Sequence, residues 1–140
     1  MDSKDKKIIE ALKDNSRQSI KELAKKTGIR PSTIHQRIQK LIQNRSIEKF
    51  TIKLNNKEAG ENFIVFMLVK GTPSEYIDHK ITANSHVKEI FGITGEYDLL
   101  IKLKFNDVNE FNNFVLNFRK NKSVQTTLTM VATANLKEEI

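Results

Sequence analysis

The run FIVFMLV, Phe63–Val69, sets seven apolar side chains in a row. That length suits a buried strand and falls far short of a bilayer span. A strand without a polar position has both faces meant for burial, so it belongs inside a sheet that is covered on each side. Helices of the same chain can cover one face, and a second subunit is the simplest cover for the other.

The residues that follow arrange themselves around this strand. FIVFMLVKG ends at Gly71, and Pro73 and Ser74 open a helix through SEYIDHKITA. VKEIFGITG and DLLIKLKF hold two further strands. DVNEFNNFVLNFRK gives an amphipathic helix with Val108, Phe111, Phe114, Val115 and Phe118 inward, and SVQTTLTMVATANL a final strand. The order βαββαβ is the ferredoxin-like arrangement, an antiparallel four-stranded sheet with two helices on one face. A sheet left apolar on its open face is what monomers avoid, so this half reads as an assembly module, most simply a symmetric dimer.

A chain of 140 residues holds one ordinary domain or two small ones. Its charge favours two. Residues 1–57 carry 15 Lys/Arg against 6 Asp/Glu, whereas residues 58–140 carry 9 against 11. Basic charge gathered in one part suggests an anion-binding module joined to a part with another task. There is no cysteine, which excludes thiolate metal sites, disulfides and cysteine nucleophiles and fits a reducing cytoplasm. The start, MDSKDKKIIEALKD, is mixed in charge, unlike a signal peptide, so a cytoplasmic protein without membrane contact is expected.

The basic part reads as three helices. Ile8, Ile9 and Leu12 form one stripe in DKKIIEALKDN. In SIKELAKKT, Ser19 and Glu22 have capping-box spacing, and Gly28 follows where a left-handed residue ends a helix. Pro31 suits the first position of a third helix, although Arg30 before it has no oxygen with which to cap. At about 100° per residue, Ile34, Ile38, Leu41 and Ile42 gather on one side and Ser32, Gln36, Gln39, Lys40 and Gln43 opposite. Thr33 and Arg37 lie on one flank and His35 on the other. Pro31 to Arg45 contains no acid, while Arg30, Arg37, Lys40 and Arg45 supply cations. Amides, hydroxyls and cations on one face suit phosphates and base edges. Two helices joined by a glycine turn, the second so equipped, form a helix-turn-helix pattern. A bundle used only for protein contact is the competing reading. SIEKFTIKL then suggests a short strand or wing, with Ile47, Phe50 and Ile52 against the helices and Lys49 and Lys53 outward. The expected division is a DNA-binding domain at residues 1–55, a linker at 56–62 around Gly60, and the ferredoxin-like domain at 63–140.

No catalytic constellation accompanies this layout. His35, His79 and His86 lack metal-ligand spacing, and no glycine-rich phosphate loop occurs. Neither enzyme activity, a metal nor a cofactor is expected. The stretch GITGEYDLL, Gly92 to Leu100, is the best candidate for small-molecule binding. Gly95 lets backbone amides approach a ligand, Tyr97 offers a ring and a hydroxyl, and Asp98 suits an ammonium group. The same residues also make sense as a tight strand connection.

Taken together, DKKIIEALKDNSRQSIKELAKKTGI, STIHQRIQKL followed by SIEKF, the ITGEYDLL loop and the QTTLTMVATA strand resemble the Lrp/AsnC family of transcriptional regulators, also called feast/famine regulatory proteins. The resemblance implies an N-terminal helix-turn-helix that binds double-stranded DNA. It also implies a C-terminal ferredoxin-like domain that forms homodimers, which assemble further into octamers or other multimers and bind amino acids or related metabolites between dimers. Pro31–Gln43 becomes the recognition helix. Ser32, Thr33, Gln36 and Arg37 then face base edges, His35 lies beside them, and Arg17, Arg30, Lys40 and Lys49 meet the DNA backbone. Gly95, Tyr97 and Asp98 match the effector loop, and contact with the transcription machinery goes with the role. Two positions depart from the family pattern: Arg30 replaces a serine at the helix cap, and Arg45 replaces a glycine after the helix. The alternative function is a metabolite-sensing oligomerisation protein or a protein-binding adaptor without specific DNA recognition.

Overall fold

Reciprocal caps start the first two helices of the computed structural model, which describes residues 1–140. At α1 (Ser3–Asp14), Asp2 accepts from the Asp5 N–H at 3.0 Å and Asp5 returns the bond to the Asp2 N–H at 3.2 Å. At α2 (Ile20–Thr27), Ser19 Oγ accepts from the Glu22 N–H at 3.1 Å and Glu22 accepts from the Ser19 N–H at 2.9 Å. Each pair satisfies two N–H groups that a helix start leaves without partners. Between the helices, Gln18 Nε2 donates to the carbonyls of Ala11 and Asn15 and ties the turn to the end of α1.

Gly28 closes α2 with φ 72°, and its N–H reaches the Ala24 carbonyl at 2.9 Å. Pro31 is the first residue of α3 (Pro31–Gln43), as its missing N–H favours. Ile8, Ala11, Leu12, Leu23, Ile29 and Ile34 form a small core, and Ile20, Ala24, Ile38 and Ile47 pack against it. This is one compact unit, Met1–Ile52; the other is Lys53–Ile140.

The expected wing is absent. No strand forms between α3 and Phe63, and only Ile47 joins the helical core. Phe50 is 50% exposed and Ile52 73% exposed. Their alternation suits a strand, but a strand needs a neighbour to bond, and the segment has none within the chain. Ile42, expected inward, is also exposed, while Leu41 beside it is buried. The stretch expected as a linker is an ordered turn. Asn55 Oδ1 accepts from the N–H groups of Lys57 and Glu58, and the Ala59 N–H reaches the Asn55 carbonyl.

In the second unit β1 (Phe63–Gly71), β2 (Val87–Gly92), β3 (Leu99–Phe105) and β4 (Val124–Val131) form one antiparallel sheet in the order β2-β3-β1-β4. This is the ferredoxin-like arrangement, with the apolar β1 in a central position. Val65, Met67 and Val69 from β1 and Leu99, Ile101, Leu103 and Phe105 from β3 face the helices, where Tyr76 and Phe118 close the core. The helix expected after Gly71 is broken into two single turns, α4 (Pro73–Tyr76) and α5 (His79–Thr82). Ile77 is extended at the break, and Asp78 restarts the chain by accepting from the Ile81 N–H at 3.1 Å. The last helix, α6 (Val108–Arg119), starts at Asp107, whose side chain accepts from the Glu110 N–H at 3.0 Å. Phe111, Phe114, Val115 and Phe118 turn inward as expected, while Val108 in its first turn is exposed instead.

Candidate nucleic-acid interface and ligand loop

The outer face of α3 is open. Ser32, His35, Gln36, Gln39, Lys40 and Gln43 are all exposed, while Ile34 and Leu41 are buried behind them. The helix start also lacks a side-chain cap, since Arg30 donates where a cap must accept. The uncapped first-turn N–H groups, the helix dipole and the exposed Arg30 side chain all favour an anion at that end. Arg17 and Lys49 are likewise exposed. Thr33, on the flank, is half-buried.

Arg37 stands apart from these residues. Its Nη1 donates to both carboxylate oxygens of Asp2, at 2.7 and 2.6 Å, and to Asp5 Oδ1 at 3.0 Å. Hydrogen bonds from Arg37, and then from the Asp5 N–H, hold the Asp2 carboxyl at about 2, below its ordinary 3.8. The same bonds raise the guanidinium further above its usual range. Arg37 is therefore not a free cation beside Gln36; it joins α3 to the start of α1, and a base contact would require that clamp to open. No local sequence signal says that Asp2 and Asp5 meet α3.

The second candidate region is the connection from β2 to β3. Gly95 has φ 109°, a conformation that disfavours a side chain, and nothing lies within 4 Å of the position a Cβ would take. Asp98 is held firmly. Its N–H donates to the Val69 carbonyl at 2.8 Å, and its Oδ2 accepts from the Gly71 N–H at 2.8 Å. That leaves Oδ1 and the half-buried Tyr97 beside the glycine turn. Below it Tyr76 is buried, and its hydroxyl has no hydrogen-bond partner. Burial, and then the charge of Asp98, push the Tyr76 hydroxyl above its ordinary pKa. A groove of about 540 Å³ runs along α5 and α6, lined by Tyr76, Asp78, His86, Glu110, Asn117 and Phe118 among others. Gly95, Tyr97 and Asp98 are not in its wall. No group of His, Asp and Glu side chains with metal-holding geometry occurs.

Comparison with known proteins agrees across the chain. Residues 1–42 match the AsnC-type helix-turn-helix domain, and residues 63–140 match the Lrp/AsnC ligand binding domain. An HTH-type transcriptional regulator of Pyrococcus horikoshii, PH1916, is 35% identical over 100% of this chain and 97% of its own length. The regulator FL11 of Pyrococcus furiosus is 34% identical, with 94% of this chain and 88% of its own covered. Among solved structures, E. coli AsnC superposes with a TM-score of 0.88 at 27% identity, covering 100% of this chain and 97% of that one. A transcriptional regulator from Neisseria meningitidis in complex with L-Met superposes with a TM-score of 0.91 at 24% identity, covering 99% and 93%.

Proposed function

The chain belongs to the Lrp/AsnC family of helix-turn-helix transcriptional regulators, and on that premise we propose that it reads DNA as a homodimer through the outer face of α3. The observation that carries this reading is the acid-free, exposed row of Ser32, Gln36, Gln39, Lys40 and Gln43 along that helix. Gln36 and Ser32 offer amide and hydroxyl groups to base edges, with Thr33 on the flank. His35 and Lys40, with Arg17, Arg30 and Lys49, are exposed and are proposed to settle the helix against phosphates. Each protomer supplies one α3, and two half-sites about one helical turn, roughly 34 Å, apart match such a pair. Arg37 holds α3 in place and is not assigned a base.

The dimer is proposed to close over the open face of the sheet. Register places Phe91, Leu100, Leu68 and Leu128 in one row across all four strands of that face. Phe91 and Leu128 are exposed, and the row is of the kind that monomers cover. A second copy offers the same row, which suits a twofold interface. Assembly of dimers into larger multimers would bend DNA around the particle.

An amino acid or related metabolite is proposed to modulate the regulator at the loop of Gly95, Tyr97 and Asp98. The open Gly95 turn and the free Oδ1 of Asp98 support this, together with the match to the ligand binding domain. The Neisseria regulator was solved with L-Met, which makes methionine a reasonable first compound to test. Ligand binding would then shift assembly or the spacing of the DNA-binding heads.

Selection from a random DNA pool, run with and without a panel of amino acids, tests the whole reading. The expected outcome is one enriched, partly palindromic sequence whose recovery changes with an effector. A protein-binding adaptor would enrich nothing, and a metabolite-sensing assembly protein would bind an amino acid without retaining DNA.

A further inference from the structure

The open sheet face carries two lysines in the middle of an otherwise apolar surface. Lys102 lies opposite Phe66, and Lys104 opposite Ile64, both on central strands. They are not exposed: their side chains retain 14% and 11% of their accessible surface. What covers them is the chain's own C-terminal segment. After Val131 the backbone leaves the sheet and Ala132–Ile140 forms no helix or strand. Glu138 alone of those nine residues is not exposed, with 12% of its side chain accessible.

Glu138 sits in a built receptor. Its Oε2 pairs with Lys102, and its Oε1 accepts from Lys104 Nζ at 3.0 Å, Asn56 Nδ2 at 3.1 Å and Asn135 Nδ2 at 3.4 Å. Lys53 Nζ donates to its backbone carbonyl, and Lys104 also donates to Asn56 Oδ1 at 2.7 Å. Burial pushes the carboxyl up, but bonds from Lys102, Asn56 and Lys104 more than offset it and hold it at about 2, below the ordinary 4.5. Glu89, the register partner of Lys102 on β2, makes no ion pair with it. Meanwhile Leu136 is 94% exposed, and Ile140 and the nearby Met130 also face solvent.

A single anchored residue holding an otherwise exposed strap makes little sense for one chain alone, because ordering the strap costs conformational entropy. Enclosure by a second copy changes the balance. Two lysines from each protomer would be buried together, and unpaired cations in an apolar interface are strongly destabilising. We propose that the C-terminal strap is part of the self-association surface: Glu138 is the built-in counter-charge that lets Lys102 and Lys104 be enclosed by a second copy, and Leu136 is an apolar contact to that copy. This rests on the homodimer reading above and adds to it the residues that make the sheet face able to pair.

The test is the dimer dissociation constant of the full chain by sedimentation velocity. It compares the wild type, Glu138→Gln, the Lys102→Met/Lys104→Met double variant and the triple combination. Loss of the counter-charge should raise the constant at least about tenfold in Glu138→Gln. The double variant leaves Glu138 unpaired and should also dimerise more weakly, whereas the triple combination, with neither charge, should dimerise as tightly as the wild type or more so, so that Glu138→Gln carries no penalty in the lysine-free background. Equal constants for the wild type and Glu138→Gln would overturn the proposal, as would a penalty that persists without the lysines. If Glu138→Gln does not fold, a triple combination that dimerises more weakly than the wild type is the contradicting result. A wild type that stays monomeric throughout would instead remove the homodimer reading on which this inference stands.

Discussion

Arg37 and Asp2, 35 positions apart in sequence, meet at 2.6 Å, so the third helix is fastened to the first residue before α1. The same Asp2 oxygens that accept from Arg37 include the one that caps α1. One carboxylate thus organises a helix start and the placement of α3. Arg37→Ala is expected to lower the melting temperature of the helical unit and to weaken binding to selected and random duplexes by the same factor. Anisotropy titrations check this; a loss confined to the selected duplex would mean that Arg37 leaves its clamp for a base.

The clamp gives stability a definite pH dependence. Asp2 has a folded value of about 2, below the ordinary 3.8, so its contribution is complete above 3.8 and lost as the pH falls through about 2. Asp2→Asn should remove that acid-side slope from melts followed by circular dichroism, while Asp14, whose carboxyl is lowered by Lys26, keeps its own.

DNA affinity should depend steeply on salt. The exposed cations around α3 displace counterions when they meet phosphates. If about six phosphates are neutralised per complex, affinity falls about a thousandfold between roughly 50 and 200 mM salt. A flat response in a gel-shift series would contradict phosphate contact.

Arg45 follows α3 with φ 60°, and its N–H bonds to the Ile42 carbonyl at 3.1 Å. A left-handed conformation costs a side-chain-bearing residue about 1–2 kcal/mol. Arg45→Gly is therefore expected to stabilise the helical unit by about 1 kcal/mol in urea unfolding, after the added freedom of the unfolded glycine is deducted. Its DNA affinity should not rise, since a cation is lost.

Gly71 links β1 to the connection between β2 and β3 through Asp98. A Cβ there would lie 2.1 Å from the Ser123 carbonyl oxygen, and its N–H holds Asp98. Gly71→Ala is expected to destabilise the second unit by about 1–3 kcal/mol. Asp98→Ala should abolish an amino-acid response while leaving the dimer intact. Calorimetry that shows unchanged ligand binding in Asp98→Ala would reject the loop as the effector site.

Much of the fold was legible because its signals are local. The seven apolar residues of β1, the Ser19–Glu22 box, Gly28 and Pro31 each act through neighbours a few positions away. The sheet order followed from the sequence of elements. What was illegible depends on partners distant in the chain. Phe50 and Ile52 alternate like a strand, yet only a bonded neighbour makes one, and none is present. Arg37 looked like a free cation because periodicity says nothing of Asp2. Glu138 gave no sign at all: an acid near the chain end is ordinary until Lys102 and Lys104 are seen to enclose it. The break at Ile77 was hidden by the helix-compatible residues on both sides of it.

The central claim is that the outer face of α3 meets base edges, and Gln36 is its best single probe. Repeating the random-pool selection with Gln36→Ala should relax or change the preferred base at one position, placed symmetrically in both half-sites. The loss at that base should be about 1–3 kcal/mol in direct binding. An unchanged motif with undiminished preference at every position would contradict the account.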